Sequence, residues 1–353
     1  MTWGGFHTLE RQAARAVEAM APEAKHSAGG WRFRLGRQPH APTVEARVES
    51  AWILLDAPLE SAALSPLKLA EANGRLPGAV KFALAPEDER IHLRAELPLE
   101  VDGDLGGQLL ETRRGFELAA SLARGGRRPK GSATPGRSDP KGGDALGPVL
   151  AGELDRLREE AGWSFSQRAS GHLAVDLEVA EGFFQARLGR RADGAIGVSA
   201  ALEDCHPAAG ACREAMAIFL LRSSGWLRML RGVAASTRKR AAPRFEVIFA
   251  LEPSASELSE ALAALSAGAL FCSRELHVLA QNEVLARSYL ARNPRRVRSA
   301  AERRPRKKAG AVASGTERRA AAASGPRASI RKGRAACPPG TSDQPQQPQG
   351  ELQ

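Results

Sequence analysis

Residues 81–98, KFALAPEDERIHLRAELP, decide the fold. From Ile91 to Leu97 apolar residues alternate with polar ones, and this period of two is typical of a β-strand. A short apolar run from Lys81 to Leu84 comes before it, and the polar segment between the two runs suits a tight turn. The stretch therefore predicts an antiparallel β-hairpin with one face turned toward a core.

Helical and strand patterns surround this hairpin throughout the first 123 residues. Asp104 is a predicted N-cap of the closing helix, and the glycines at 125 and 126 are its predicted end. The predicted elements are a helix at 9–20, strands at 31–37, 43–49 and 51–56, a helix at 63–72, strands at 79–85 and 90–97, and the closing helix. Their order, α-β-β-β-α-β-β-α, has links too short for parallel crossovers, so it predicts an α+β fold with an antiparallel sheet and helices packed on one face.

Residues 148–290 echo the first block in the same order. The matching pairs are 30–33 with 162–165, 44–49 with 173–178, 54–55 with 183–184, 69–76 with 220–227, and 91–97 with 245–251. The predicted elements are an opening helix at 149–161, strands at 163–168, 172–179, 182–189 and 194–201, a helix at 208–223, strands at 226–233 and 244–251, and a closing helix that begins after Ser256 and runs to about Leu290. The chain is thus expected to hold two tandem copies of one α+β domain.

Two segments of different composition separate and follow the copies. Residues 124–147 are rich in Gly, Pro, Ser and charge and nearly lack apolar residues, so we expect a flexible linker. Residues 291–353 contain fifteen Lys/Arg and four Asp/Glu, which equals the net charge of +11 of the whole chain. The predicted organisation is a first domain at 1–123, the linker, a second domain at 148–290 and a disordered basic tail at 291–353.

The run 67–84, LKLAEANGRLPGAVKFAL, followed by 90–98, resembles the YbjN and type III secretion chaperone-like superfamily. That family's usual form is a helix ending in Asn, a strand with Lys-Phe, a short acidic turn and a strand ending in Leu-Pro. In the second copy Ser224 stands at the position of the Asn, and the basic loop 238–240 replaces the acidic turn. The resemblance covers nearly all of 9–290. It implies non-enzymatic bacterial domains that dimerise or hold partner polypeptides, and two fused copies imply a monomeric pseudodimer.

Motifs that would carry catalysis or cofactor binding are absent from the sequence. Neither a phosphate-binding glycine loop nor the motifs Gly-x-Ser-x-Gly and His-Glu-x-x-His occur. Cys205, His206 and Cys212 come nearest to a metal site, but zinc usually needs four ligands in paired short spacings. We therefore expect no catalytic residues, no metal and no cofactor. Sparse cysteines, no signal peptide and no membrane span favour the cytoplasm.

Two groups of residues are candidates for binding. Because Ile91 and Leu93 face the core, Lys81, His92, Arg94 and Glu96 should form a solvated sheet face on which a partner could lie. The basic cluster of the tail is a candidate for nonspecific contact with a polyanion, through counterion release. Its residues are Arg295, Arg296, Arg303, Arg304, Arg306, Lys307 and Lys308.

The preferred hypothesis is a chaperone-like or adaptor module that binds an unidentified protein. The alternative is a nucleic-acid-associated protein tethered nonspecifically through its basic tail. Residues 1–290 carry no net charge, whereas a dedicated nucleic-acid fold usually has its own basic face. The charge distribution therefore favours protein binding, and the two roles are compatible.

Overall fold

The α+β class is confirmed by a computed structural model of the chain. Its described residues form two six-stranded antiparallel sheets and seven helices. The structure describes residues 3–293 apart from 28, 36–40, 60–62, 101–102, 126–147, 162, 168–171, 180–181, 192–193 and 235–241. Almost all of the predicted linker and the whole predicted polyanion contact, Arg295 to Lys308, lie outside the described residues.

The first half of the molecule (residues 3–125) contains three helices and one sheet. Its elements are α1 Trp3–Met20, β1 Lys25–Ser27, β2 Gly30–Arg34, β3 Thr43–Glu49, β4 Trp52–Pro58, α2 Pro66–Asn73, β5 Lys81–Leu84, β6 Ile91–Pro98 and α3 Leu105–Ala123. The strand order across the sheet is β1-β2-β3-β4-β6-β5. The predicted hairpin is confirmed, since Phe82 on β5 pairs with Leu93 on β6.

The second half (residues 148–293) repeats this arrangement and adds one helix. Its elements are α4 Pro148–Ala161, β7 Ser164–Gln167, β8 Leu173–Val179, β9 Gly182–Arg190, β10 Ile196–Ala201, α5 Gly210–Trp226, β11 Arg231–Val233, β12 Arg244–Ile248, α6 Ala255–Gln281 and α7 Glu283–Arg292. The strand order, β7-β8-β9-β10-β12-β11, matches that of the first sheet. Both halves belong to one compact unit.

Two details of the predicted repeat are corrected by the sheets. The first half has four strands before its middle helix rather than three, because the polar, exposed segment Lys25–Ser27 forms β1. By position in the sheets β2 corresponds to β8, whereas the sequence echo of 30–33 matched β2 with a segment whose residues 164–165 lie on β7. The first three echoes were one strand out, because a three-residue polar strand leaves no alternating pattern for an alignment to follow. The echoes of 69–76 and 91–97 do join corresponding elements, α2 with α5 and β6 with β12.

Local capping signals fix the ends of the closing helices. The Asp104 side chain accepts a hydrogen bond from the backbone N–H of Gly107 at 2.9 Å, so the predicted N-cap of α3 is confirmed. Helix α6 begins with a capping box between Ser254 and Glu257. The predicted continuation to Leu290 is interrupted at Asn282, whose side chain caps α7 by accepting from the N–H of Leu285.

The apolar face of each sheet packs against its closing helix. In the first half, α3 packs against β6, and Leu93 and Ala95 of the strand and Leu109 and Phe116 of the helix are all buried. In the second half, α6 lies across β8, β9, β10 and β12. The opposite face of β6 is not open to solvent, and this face leads to the candidate site.

Candidate functional site

The two halves meet through reciprocal packing of their middle helices, α2 in the first half and α5 in the second. Helix α5 of the second half packs against β5 of the first half, while α2 packs against β11 and α5. We call this contact, formed by α2, β5 and β6 on one side and by α5, β11 and β12 on the other, the inter-half interface. Each half thus packs its middle helix against one edge strand of the other half's sheet, β5 or β11, which we call the inner edge strands. Such reciprocal contacts are typical of subunits in a two-fold symmetric dimer.

Lys81, the first residue of β5, crosses this interface with a fully buried ammonium group. Its Nζ atom lies 2.8 Å from Glu96 Oε2 and donates to the carbonyl groups of Leu227 at 2.9 Å and Leu230 at 3.0 Å. These three acceptors match the three N–H donors of an ammonium group. Burial lowers the pKa of Lys81, and the charge of Glu96 opposes this effect. Glu96 also accepts from the backbone N–H of Met229 at 3.2 Å.

Arg231, the first residue of β11, makes the reciprocal contact. Its Nη1 atom donates to the carbonyl groups of Leu76 at 3.1 Å and Val80 at 2.9 Å, just before β5. Its Nε atom lies 3.0 Å from Oε1 of Glu246, the residue opposite it on β12. Burial raises the pKa of Glu246, but the charges of Arg231, then Arg244 and Arg191, outweigh it and lower that pKa overall.

Polar side chains at the ends of the middle helices bind the edge strands. The Asn73 Oδ1 atom accepts from the N–H of Phe82 at 2.7 Å, and its Nδ2 atom donates to the carbonyls of Phe82 and Gly232 at 3.0 Å. Asn73 therefore joins the inner edge strands of both sheets. Ser224, its counterpart, accepts from the N–H of Gly232 at 2.8 Å.

The glycine after each of these residues allows the close approach of the other half. A Cβ atom on Gly225 would lie 2.2 Å from the backbone oxygen of Leu84 at the end of β5. A Cβ atom on Gly74 would lie 2.8 Å from Nη2 of Arg244 and 2.9 Å from Cγ1 of Val233. Both glycines thus lie where a helix end meets the opposite edge strand.

His92 and Arg94 extend the interface toward the β5–β6 turn. His92 Nδ1 lies 2.5 Å from Asp56 Oδ2, and Arg94 Nε donates to Asp56 Oδ1 at 2.8 Å. Arg94 also donates through Nη1 to the carbonyl of Gly225 at 3.1 Å, in the second half. Burial raises the pKa of Asp56, but His92 and Arg94 lower it overall.

The prediction that this polar face is solvated is wrong. Lys81, His92, Arg94 and Glu96 are all buried. Residues 225–230 of the same chain contact Lys81, Arg94 and Glu96, while the ring of His92 contacts Asp56 and Asp88. The structure does bring the four residues together, but as part of the inter-half interface rather than as a free docking face. Periodicity correctly assigned them to one face. It could not show that the second half covers that face.

Sequence reasoning missed the acceptors and the reciprocal ion pair of the interface. Arg231 and Glu246 were not singled out, nor were Asp56 and the four backbone carbonyl groups. One signal was available, since Lys81 and Arg231 each follow an apolar residue at the start of corresponding strands. A charged residue in such a place needs a buried partner, which was not identifiable from the sequence.

The interface leaves little room for a small molecule. The cavity between the halves, lined by Glu96, Met229 and Glu257 among others, has a volume of ≈ 20 Å³, about the space of one water. Within the described residues no cluster of His, Cys, Asp or Glu has the arrangement of a metal site. Cys205 and Cys212 are both buried, and burial raises the pKa of the Cys205 thiol to about 11.

The outer edge strands of the two sheets, unlike the inner edge strands β5 and β11, do not lie at the inter-half interface. Strand β1 ends the first sheet and β7 ends the second, and among the described residues no further strand pairs with either.

One described helix, α6, has the length and apolar character needed to cross a membrane, and one of its faces packs in the core.

Searches for known relatives gave no match: no protein-family model, curated protein or solved structure is similar to this chain.

Proposed function

We propose that this chain is a non-enzymatic protein-binding module, chaperone-like or adaptor in kind, whose halves act as a pseudodimer. The observation that carries this proposal is that each middle helix packs against the inner edge strand of the opposite half. In the YbjN-like proteins that the sequence resembles, such domains dimerise or hold polypeptides. The buried Lys81 and Arg231 donate to backbone carbonyl groups of the opposite half, and Glu246 pairs with Arg231. These contacts support a structural role for the three residues rather than a catalytic one.

An extended polypeptide is the partner that the free sheet edges favour. The inner edges β5 and β11 face the opposite half, so the peptide would add to an outer edge through main-chain hydrogen bonds. Strand β1 has three exposed residues including Lys25, a feature that discourages strand addition. Strand β7, Ser164–Gln167, carries no charge and has Phe165 packed against the core. We therefore assign the partner to β7.

A proline scan of β7 tests this assignment. Successive residues of a strand direct their N–H groups to opposite sides, so one of Ser166 and Gln167 points its N–H away from β8, toward the added peptide. Proline at that residue removes this outward donor without breaking a bond to β8. The informative variant, Ser166→Pro or Gln167→Pro, is therefore the one that leaves the melting temperature unchanged. The full chain would first be used to select binders from a library of short unstructured peptides. We expect that proline variant to lose the peptides, whereas Ser27→Pro on β1, the matched control, keeps them. Unchanged peptide binding by both β7 variants contradicts the proposal.

The charge of the tail supports a second candidate, nonspecific nucleic-acid binding. All of the net charge of +11 lies in residues 291–353, which contain no aromatic residue. Neutralised phosphates release counterions, so affinity should fall steeply with salt and vary little with base sequence. Deleting 294–353 should abolish binding to unrelated DNA and RNA duplexes in a salt titration and leave the melting temperature nearly unchanged. Equal binding by the truncated chain would refute a tail-borne site.

A further inference from the structure

Both ring nitrogens of His92 face carboxylate oxygens. Nδ1 lies 2.5 Å from Asp56 Oδ2 on β4, and Nε2 lies 3.2 Å from Asp88 Oδ2 in the β5–β6 turn. A neutral imidazole has one N–H, and only the imidazolium donates from both nitrogens. The two contacts are therefore hydrogen bonds at the same time only when His92 carries a proton on each nitrogen.

Loss of one proton must weaken one of the two contacts, and the surroundings select Asp88. Asp56 is 15% exposed and is also held by Nε of Arg94 at 2.8 Å. Asp88 is 37% exposed, and water can solvate its carboxylate once the ring no longer donates to it. The remaining N–H of a neutral His92 thus stays with Asp56, and the lone pair of the other nitrogen is left toward Asp88.

Asp88 belongs to an acidic turn, residues 86–89, that contacts the second half. Glu87 lies 3.4 Å from Nη2 of Arg94, and Nη1 of the same arginine donates to the carbonyl of Gly225 at the end of α5. Glu89 lies 3.5 Å from Nη2 of Arg222 on α5, and its backbone is left-handed with φ 54°. A non-glycine residue in that conformation persists only where surrounding contacts hold it.

We propose that His92 is a pH-sensitive latch, which holds the acidic turn 86–89 against the end of α5 when protonated and releases it when neutral. Several charged groups face the ring or its immediate partners. They are Asp56 from β4, Glu87, Asp88, Glu89 and Arg90 from the turn, Arg94 from β6 and Arg222 from α5.

The direction of the pH effect follows from these neighbours. Burial lowers the pKa of His92, but the hydrogen bonds and charges of Asp56 and then Asp88 outweigh it and raise the pKa overall. A raised folded-state pKa gives stability that is fully present below about 6.5, the unfolded value, and is lost as pH rises through the folded value. The latch is therefore closed at acidic pH and opens as pH rises through the raised pKa of His92.

Amide hydrogen exchange and histidine NMR titration of the full chain test the latch. The reporters are the N–H of Glu89, which donates to the carbonyl of Ala85, and the N–H of Arg90, which donates to Oδ1 of Asp88. After correction for intrinsic exchange, protection of both amides should fall on the order of tenfold as His92 loses its proton. Protection that does not change with pH across this titration overturns the proposal.

Three variants separate the latch from a merely structural histidine. Asp88→Asn should lower the NMR-measured pKa of His92, while Asp155→Asn, which removes the same charge from the exposed face of α4, should leave it unchanged. His92→Gln should hold the turn at the low protection of the parent at high pH, throughout the range. The latch is refuted if Asp88→Asn and Asp155→Asn give the same His92 pKa, or if protection in His92→Gln still follows pH.

Discussion

At the start of the inner edge strand of each half, a buried cation binds two backbone carbonyl groups of the opposite half, but the charges around it differ. Lys81 is balanced by Glu96 on its own sheet, two residues beyond its direct cross-strand partner Arg94. Arg231 is balanced by its direct partner Glu246, which Arg244 also contacts. The geometry follows from the shared sheet order, whereas the charge pattern is particular to each half.

This comparison shows which part of the interface the fold dictates. Backbone carbonyl groups before β5 and β11 have no strand partner at the point where the middle helix ends, so each needs a donor from elsewhere. A long cationic side chain supplies that donor in both halves. A buried cation then requires a buried carboxylate, and any nearby strand position can provide it.

The largest expected effect comes from breaking the Lys81 contact. Lys81→Met leaves Glu96 buried without a cation, and it leaves the carbonyls of Leu227 and Leu230 without their donor. We expect a loss of about 3–5 kcal/mol in the free energy of unfolding, measured by urea denaturation. Lys25→Met, at an exposed position of β1, should cost less than about 1 kcal/mol. A similar effect of both variants would show that the inter-half contact of Lys81 contributes little.

The two interface glycines should differ in their tolerance of a methyl group. Gly225→Ala places Cβ against the backbone oxygen of Leu84, which cannot move alone, and we expect a cost of roughly 1–3 kcal/mol. Gly74→Ala meets the flexible end of Arg244 and the Val233 side chain, so its cost should be smaller. Thermal unfolding of the two variants measures the difference, and a larger loss in Gly74→Ala would reverse our account of which approach is tighter.

Asn73 and Ser224 offer the smallest and sharpest comparison. Asn73→Ala removes hydrogen bonds to both edge strands and leaves buried backbone groups unsatisfied, for which we expect a loss of about 2 kcal/mol. Ser224→Ala removes the acceptor for one N–H of its own half and should cost about 1 kcal/mol. Urea denaturation of the single and double variants gives both values. Equal losses would contradict the expectation that the additional hydrogen bonds of Asn73, to both edge strands, contribute more than the single bond of Ser224.

Much of the local structure could be predicted because its causes lie within a few residues. The alternation from Ile91 to Leu97 and the cap at Asp104 were sufficient to place β6 and the start of α3, and both are confirmed. Strand β1 was missed and β11 was predicted too long. Lys25–Ser27 has no apolar pattern, and Trp226, which was predicted to open the strand 226–233, is the last residue of helix α5.

The sequence by itself determined two similar α+β halves, their antiparallel hairpins and the location of all the net charge after residue 290. Only the tertiary structure decided that His92, Arg94 and Glu96 are buried. Alternation distinguishes two faces of a strand but does not tell whether the polar face meets water or another part of the chain. That choice depends on contacts between residues about 130 to 160 positions apart, such as Lys81 with Leu230 and Arg231 with Val80. No local pattern records such contacts, because they form only when both halves have folded and packed.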